Sequence, residues 1–360
     1  MRSLRAAIDS WLGRGEASIT MPPMDGALRP NDLLDTAPPV FEAPAPDCLA
    51  LAGFGAVVSS ERSLFRIDQP NGPSIASFDA TITALAGLPD GGLAAGLDDG
   101  RIAFVGGAND GTIVEARPEA RCVTALAPAG DGALFVANGS AKYRPDAWKR
   151  DLMEKNAFGS VWRVDVSGRG AQQLAGDLAY PYGLVVDAGS LVVSESWRSA
   201  LTRIFPGADG RCESLLADLP AYPSRLSRAR DDSIWLALFA PRSQLIEFVL
   251  SEDRYRQRMM REVDADHWVA PCLRSGLGPL EPTQQGGVKQ LGVLKPWAPN
   301  RSYGLAARLN SAFRPASSLH SRANGRRHGV TSCLEIDGRL LFAAKGDGVV
   351  GAYDLGGSPS

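Results

Sequence analysis

The sequence lacks any apolar run that is long enough to cross a lipid bilayer. No stretch of the 360 residues approaches the roughly 20 consecutive apolar residues of a transmembrane helix. The basic N-terminal segment MRSLRAAIDSWLGRGEASITMPPMDG also has no apolar core of the length that a signal peptide requires. We therefore expect a globular protein without a membrane span.

An excess of charge of either sign is absent as well. The chain has 38 Lys and Arg against 40 Asp and Glu, which gives a formal net charge of −2. Such a balance provides no basic surface for nucleic acid or for an anionic membrane. We therefore expect a small-molecule substrate or ligand and no nucleic-acid partner, whereas the composition leaves the oligomeric state open.

Cysteines are few and show no paired spacing. Their number, five, is odd, and no two of them form a Cys-x-x-Cys motif. This pattern favours reduced, mostly buried thiols over a disulfide framework or a zinc site, and it predicts a cytoplasmic protein. The cysteines are Cys48, Cys122, Cys212, Cys272 and Cys333.

What the sequence does contain is a repeat. Six segments share an apolar strand, a turn with Asp or Gly and further strands, as in TALAGLPDGGLAAGLDDGRIAFV (83–105) and TALAPAGDGALFVANGS (124–140). The typical step between them is about 40 residues, the length of one four-stranded propeller blade. A β-sandwich or barrel would also have short strands and Gly turns. Repeats along nearly the whole chain favour an all-β, six-bladed propeller.

Three parts of the chain fall outside this repeat. Residues 1–45 are rich in Pro towards their end and are predicted to form an irregular N-terminal arm, whereas residues 46–357 are predicted to form the propeller. Two steps of the repeat are longer and contain insertions at about 139–158 and 251–300. The second insertion includes DRYRQRMMREVDAD (253–266), which is predicted to be helical and to form a partly helical cap.

One face of the predicted propeller collects residues from the strand ends. The innermost strand of an up-and-down blade starts at the face where the turn between the second and third strands lies, and ligands bind around the central channel there. The inner-strand starts place on this face Asp47, Leu85, Ala125, Tyr182, Ser224 and Thr331. The turns add to it Asn138, Glu195, Trp197, Arg242 and Lys345.

Several segments resemble the strictosidine synthase-like family. They are VANGSAKYRPDAWKRDLMEKNAFGSVWRVD (136–165), AYPYGLVVD (179–187) and GVTSCLEIDGRLLFAAKGDGVVGAYDL (329–355). The most specific of them is the Ser-x-Lys-Tyr segment with the acidic and aromatic residues that follow it. The resemblance covers about residues 46–356 and extends to the wider superfamily of the SMP-30/gluconolactonase lactonases. It implies a six-bladed propeller with an axial small-molecule site.

The resemblance also implies a divalent cation. Lactonases of the wider superfamily hold a cation, usually Ca²⁺, with one acidic residue, two Asn and one Asp, and the cation activates the attacking water. The first acid corresponds to Asp47 and one Asn to Asn138. Tyr182 stands at the position of the other Asn and Ser224 at that of the Asp, so this chain departs from the ligand pattern at two positions.

The enzymes that gave the family its name condense an amine with an aldehyde, and a Glu at the start of the last inner strand shuttles the proton. Thr331 occupies that position here, so strictosidine synthesis itself is not expected. Glu195 and His328 are the candidate catalytic bases, since carboxylates and imidazoles perform this role in enzymes. The alternatives are an ion pair between Glu195 and Arg198, and a hydrogen-bonded histidine in a surface loop at position 328.

Substrate contacts are expected from side chains that lie over the channel mouth. Aromatic rings combined with a cation suit an organic anion or a flat ring. The predicted substrate-binding residues are Lys142, Tyr143, Tyr182, Trp197, Ser224, Arg242 and Thr331. An alternative for Tyr143 and Trp148 is that they only fasten the first insertion to the rim.

The leading interpretation is a hydrolase that acts on a lactone or an ester. In this interpretation Asp47, Asn138 and Glu195 hold a cation or polarise water. The alternative is a non-catalytic propeller that binds a small ligand or a partner protein. The two altered ligand positions and the missing Glu support this alternative.

Overall fold

Six four-stranded antiparallel sheets are arranged as the blades of a propeller. They are seen in a computed structural model that describes residues 21–116, 120–167, 170–207, 210–275, 281, 289–290, 293–294 and 302–356. The innermost strands of neighbouring blades contact one another all the way around the central axis. The all-β, six-bladed fold predicted from the repeat is therefore confirmed.

The blades follow one another along the chain. The first three contain, from the axis outward, β2 (Pro46–Ala52), β3 (Gly55–Ser60), β4 (Ser63–Arg66) and β5 (Ala76–Ser77); β6 (Ile82–Gly87), β7 (Leu93–Leu97), β8 (Arg101–Val105) and β9 (Ile113–Glu115); and β10 (Val123–Pro128), β11 (Ala133–Asn138), β12 (Gly159–Asp165) and β13 (Ala171–Leu178). The last three contain β14 (Pro181–Asp187), β15 (Ser190–Glu195), β16 (Ala200–Ile204) and β17 (Cys212–Leu216); β18 (Ala221–Arg228), β19 (Ile234–Pro241), β22 (Gly304–Leu309) and β23 (Pro315–Ser321); and β24 (Val330–Ile336), β25 (Arg339–Ala344), β26 (Val349–Asp354) and β1 (Pro39–Glu42). The short pair β20 (Lys289–Gln290) and β21 (Val293–Leu294) lies between β19 and β22.

Strand β1 closes the ring. It comes from the segment that is predicted to be an N-terminal arm, and it pairs antiparallel with β26, with Pro39 opposite Gly351 and Glu42 opposite Val349. The outermost strand of the sixth blade is thus supplied by the start of the chain. Hydrogen bonds between the two ends of the described chain hold the first and last blades together.

The residues before β1 lie along blade five. The Asn31 amide group donates a hydrogen bond to the backbone oxygen of Ser318 (3.0 Å) and accepts one from the backbone N–H of His320 (2.9 Å). Leu34, in the short helix α1 (Leu33–Thr36), is fully buried. A 3₁₀ turn at Gly26–Leu28 precedes this helix. The segment is therefore packed against the propeller.

Two insertions cover one face of the propeller near the axis. The first, between β11 and β12, contains a 3₁₀ turn (Pro145–Ala147) and helix α2 (Trp148–Met153). The second follows β19 and contains α3 (Gln244–Ser251), α4 (Asp253–Glu262) and a 3₁₀ turn (Ala265–His267). Helix α4 confirms the helix predicted within residues 253–266. Both insertions share an apolar cluster with blade five.

The blades adhere face to face through apolar packing. All eight residues of β19 (IWLALFAP) are buried, so this strand is apolar on both faces instead of alternating. Each buried Leu or Ile side chain contributes about 1.5–3 kcal/mol relative to an exposed one. Layers of such strands hold the six sheets around the axis without any need for a central helix.

In the described part of the chain, no helix is both long enough and apolar enough to cross a membrane.

Candidate functional site

Each of the six inner strands has a break in its pairing register near its start. In β6 the pairing passes from Ile82 directly to Ala84, and in β10 from Val123 to Ala125. A break of this kind turns a side chain out of the regular alternation of the sheet. The residues at the six breaks include Asp47, Thr83, Thr124, Tyr182, Arg225 and Thr331. All of them except Thr331 line one cavity on the axis.

This axial cavity has a volume of about 220 Å³. Its polar lining comes mainly from blades six, one and two, whereas its aromatic lining comes from blades three, four and five. The lining residues are Asp47, Thr81, Thr83, Asp98, Thr124, Pro145, Asp146, Trp148, Tyr180, Tyr182, Trp197, Arg225, Phe239, Leu273 and Lys345. The cavity therefore combines charged side chains with aromatic rings.

Three charged side chains, Asp47, Arg225 and Lys345, form what we call the charged floor. Arg225 Nη1 donates to Asp47 Oδ1 at 2.8 Å, and Lys345 Nζ donates to Asp47 Oδ2 at 2.9 Å. The side chains of Asp47 and Arg225 are only 8% and 7% exposed, whereas that of Lys345 is 28% exposed. Burial by itself raises the pKa of the Asp47 carboxyl, but the two cations outweigh it and hold that pKa well below its usual range.

Arg225 contacts four other blades at the axis. Besides Asp47 in blade one, its guanidinium donates to the backbone oxygens of Thr83 in blade two and Thr331 in blade six. Its Cζ atom lies 4.9 Å from the centre of the Tyr182 ring in blade four, a cation–π contact. Arg225 itself belongs to blade five, so one side chain connects five of the six blades.

An aromatic wall adjoins the charged floor, and we define it as Trp148, Tyr180, Tyr182, Trp197 and Phe239. The rings of Trp148 and Trp197 are stacked with centroids 6.1 Å apart, and Trp148 meets Phe239 edge-on at 5.5 Å. Tyr182 also meets Phe239 edge-on at 5.9 Å. Burial raises the pKa of the Tyr182 phenol, which therefore stays neutral.

A buried carboxylate fixes this wall to the first insertion. Trp197 Nε1 donates to Asp151 Oδ2 at 2.8 Å, and the Ser140 hydroxyl donates to Asp151 Oδ1 at 2.6 Å. Asp151 lies in helix α2 and is 1% exposed. The indole of Trp197 is thus held at a defined position on the cavity surface.

Three of the predicted site residues line the cavity: Asp47, Tyr182 and Trp197. Two more lie at the axis but are engaged with backbone. The Ser224 hydroxyl donates to the Ala237 oxygen (3.0 Å), and the Thr331 hydroxyl donates to the Asp47 backbone oxygen (2.7 Å). Both hydroxyls therefore support the floor and do not line the cavity.

The two candidate catalytic bases lie outside the cavity lining. The Glu195 carboxylate accepts hydrogen bonds from the Ala179 backbone N–H (2.8 Å) and the Thr202 hydroxyl (2.5 Å), and it also pairs with Arg198. The Glu195 carboxylate therefore links the segment that precedes β14 to β16 within blade four. This agrees with the ion-pair alternative, so Glu195 has no place in the site proposed below.

His328 is engaged at both ring nitrogens. Nδ1 is 2.9 Å from the Ser302 hydroxyl, and Nε2 is 2.8 Å from the backbone oxygen of Arg322. Burial lowers the pKa of this imidazole. Its surroundings are those of a buried, hydrogen-bonded histidine, and it does not line the axial cavity.

The two residues of the first insertion that were predicted to contact substrate form hydrogen bonds within that insertion instead. Lys142 Nζ and the Tyr143 hydroxyl both bond to the Glu154 carboxylate, at 2.5 and 2.6 Å. Arg242, also predicted to bind substrate, pairs with Asp218 and Glu247. None of these three predicted residues lines the cavity, and for Tyr143 the fastening alternative describes the contacts.

Sequence reasoning missed Arg225, although it singled out the neighbouring Ser224. Leu85 and Ala125, which the sequence placed on the channel face, are buried in the apolar cores between blades and do not line the cavity. Thr83 and Thr124 lie at the axis instead. A signal was present in the aligned strands ITALAG, VTALAP and VTSCLE, which share a Thr at the second position.

The donor set of this site does not fit a divalent cation. Such an ion requires about six to eight oxygen ligands in the case of Ca²⁺. Both oxygens of Asp47 already bond to cationic nitrogens, and the Asn138 side-chain oxygen accepts from the backbone N–H of Cys122 at 3.0 Å. No cluster of three or more His, Cys, Asp and Glu suited to a metal ion occurs within the described ranges. A cation at Asp47 would lie against two positive charges.

Fold and site together define a six-bladed propeller with an axial pocket. No protein-family model matches the chain, and no curated protein does. Among solved structures, a gluconolactonase from Xanthomonas campestris is similar with a TM-score of 0.54 at 14% identity, over 88% of each chain. A calcium-binding regucalcin from Agrobacterium tumefaciens is similar with a TM-score of 0.50 at 12% identity, over 90% of this chain and 93% of that one. The fold is thus that of gluconolactonase- and regucalcin-type propellers, while the narrower strictosidine synthase-like resemblance stays a prediction.

The charged floor predicts a specific dependence of stability on pH. A carboxyl whose pKa is lowered in the folded state stabilises the protein above its unfolded pKa of about 4, and this contribution is lost as the pH falls further. We expect Asp47→Asn to be less stable than the wild type at pH 7 and to lose less of its stability as the pH falls. Urea midpoints between pH 7 and pH 3 measure the difference. Parallel curves for the two proteins would contradict the lowered pKa of Asp47.

Proposed function

We propose that the axial cavity binds a small organic molecule with a planar apolar part, and that binding needs no divalent cation. The observation that supports this proposal is the joining of an aromatic wall and a charged floor in one cavity. Small-molecule sites are concave and largely apolar, with a few polar groups that fix orientation. The cavity has both components, and its deep carboxylate is balanced by the chain's own cations.

The aromatic wall supplies most of the expected affinity. Trp148 and Trp197 present indole surfaces, and rings against such surfaces gain about 0.5–1.5 kcal/mol beyond the burial of their area. The contact between Trp197 and Asp151 fixes one indole in advance, so little conformational freedom is lost on binding. A planar ligand is therefore favoured over a flexible one.

Hydrolysis of a lactone or an ester is the second candidate function. It is favoured by the similarity in fold to a protein described as a gluconolactonase. In the cavity, Lys345 could stabilise a developing oxyanion, and the half-buried Asp98 could accept a proton from water. Among the described residues the Asp98 carboxylate has no hydrogen-bond partner, which leaves it available for this role.

The proposal is tested by calorimetric titration of the protein with 3-phenylpropanol, a neutral one-ring probe. We expect saturable binding that is unchanged by EDTA or by added Ca²⁺. Trp197→Leu should weaken binding by about tenfold, the effect of losing about 1.4 kcal/mol of ring contact. Trp162→Leu is the matched control, since Trp162 lies in blade three away from the cavity.

Two results would overturn the proposal: equal weakening by the two tryptophan substitutions, or binding that appears only with a divalent cation. Release of 4-nitrophenol from 4-nitrophenyl acetate and opening of D-glucono-1,5-lactone are measured on the same proteins. Turnover that Lys345→Gln and Asp98→Asn abolish would support the hydrolase. Binding without turnover would leave a ligand-binding propeller.

A further inference from the structure

The three residues of the charged floor have a net formal charge of +1. Asp47 contributes one carboxylate, whereas Arg225 and Lys345 contribute two cations, both within 2.9 Å of it. Arg225 is the more deeply buried of the two, and three backbone oxygens besides the carboxylate hold its guanidinium. Asp47 and Arg225 thus balance each other, and Lys345 remains as the surplus charge.

Lys345 is also the accessible cation of the floor. Its side chain is 28% exposed and lines the cavity. An ammonium group has three N–H donors, and Asp47 takes one of them. No second acid pairs with Lys345 among the residues that the structure describes. Two donors are therefore left for a ligand at the bottom of the cavity.

Two acidic residues besides Asp47 line the same cavity as Lys345. Asp146 is exposed and Asp98 is half-buried, and both line the cavity. Charges in contact with solvent are screened over about 8–10 Å, whereas buried charges act through a lower effective dielectric constant. The exposed Asp146 is therefore screened, and neither acid forms an ion pair with Lys345 among the described residues. The Lys345 ammonium group thus remains available to a ligand.

From these observations we infer that the ligand is a small organic acid with a single ring. Its carboxylate is received by Lys345, and its ring lies against Trp148, Trp197 and Phe239. The inference rests on the proposed binding function and specifies its ligand class. A cavity of about 220 Å³ is below the roughly 300–1,000 Å³ of sites for drug-sized ligands. This size favours one ring over a fused system.

The test compares three probes of the same shape and different charge: 3-phenylpropanoate, 3-phenylpropanamide and 3-phenylpropylamine. Calorimetric titration at pH 7.5 and low salt gives their dissociation constants. We expect the acid to bind at least tenfold more tightly than the amide, and the amine to bind most weakly. Raising the salt concentration should weaken the binding of the acid and leave the binding of the amide unchanged.

Substitutions assign this preference to Lys345. Lys345→Gln keeps a donor for Asp47 but removes the charge, so we expect it to reduce the affinity for the acid to that for the amide. Lys345→Arg should retain the preference for the acid. Lys142→Gln is the matched control, because Lys142 pairs with Glu154 outside the cavity. It should leave all three affinities unchanged.

The possible failures are distinguishable. Equal affinities for acid and amide, tightest binding of the amine, or an effect of Lys142→Gln as large as that of Lys345→Gln would each overturn the inference. If the amide or the amine binds and Trp197→Leu weakens that binding, the cavity still functions as a binding site. If none of the three probes binds at millimolar concentration, the inference and the proposed function both fail.

Discussion

Arg225→Met is expected to lower the free energy of unfolding by about 3–5 kcal/mol. The substitution removes the main partner of Asp47 and leaves that carboxylate buried with Lys345 alone. It also breaks the hydrogen bonds that tie blade five to blades two and six. Urea denaturation of the wild type and the variant at pH 7 measures the loss.

A second substitution separates the ion pair from the rest of this effect. Adding Asp47→Leu to Arg225→Met should restore a large part of the stability, because a buried pair can be replaced by apolar residues more cheaply than one partner can be removed. Arg163→Met is the control, since Arg163 pairs with Asp131 at the surface. It should change stability by no more than about 1 kcal/mol. Equal losses from the two arginine substitutions would contradict the role of Arg225 at the axis.

Gly183→Ala is expected to destabilise the protein by about 1–3 kcal/mol or more. A Cβ atom at position 183 would lie 2.5 Å from the Ser224 backbone oxygen, 2.7 Å from Arg225 Cα and 2.8 Å from the Leu226 nitrogen. Backbone atoms cannot move aside as a flexible side chain can. Blades four and five would have to separate at the level of Arg225, so ligand binding should weaken together with stability.

Gly170→Ala is the matched control for this prediction. Gly170 is exposed, and a Cβ atom there meets no other atom within 4 Å. We expect the free energy of unfolding of Gly170→Ala to lie within about 0.5 kcal/mol of the wild type, as for most surface substitutions. A Gly183→Ala protein as stable as Gly170→Ala would show that the inner strands are not closely packed at this point.

The fold could be predicted because its signals are local. Each blade repeats the same apolar strands and Asp or Gly turns, and an apolar strand next to a turn can be recognised within about a dozen residues. The starts of the inner strands can be recognised in the same way, and two of the residues predicted there, Asp47 and Tyr182, line the axial cavity. Helix α4 was visible from its polar, periodic sequence.

The lining of the site could be predicted only in part because it depends on register. A shift of one residue in a strand exchanges the side chain that faces the axis. The break between Pro223 and Leu226 turns Arg225 inward, where the sequence suggested Ser224. Glu195 and Lys142, both predicted as site residues, bond to groups outside the channel and do not line the cavity.

The sequence by itself determined the six blades, the face at which the inner strands begin and several residues at the axis. Only the tertiary structure decided the chemistry of the floor. Arg225 and Lys345 meet Asp47 across separations of 178 and 298 residues. No local pattern encodes such contacts, because they form only when the ring of blades closes and brings distant strand ends to one axis.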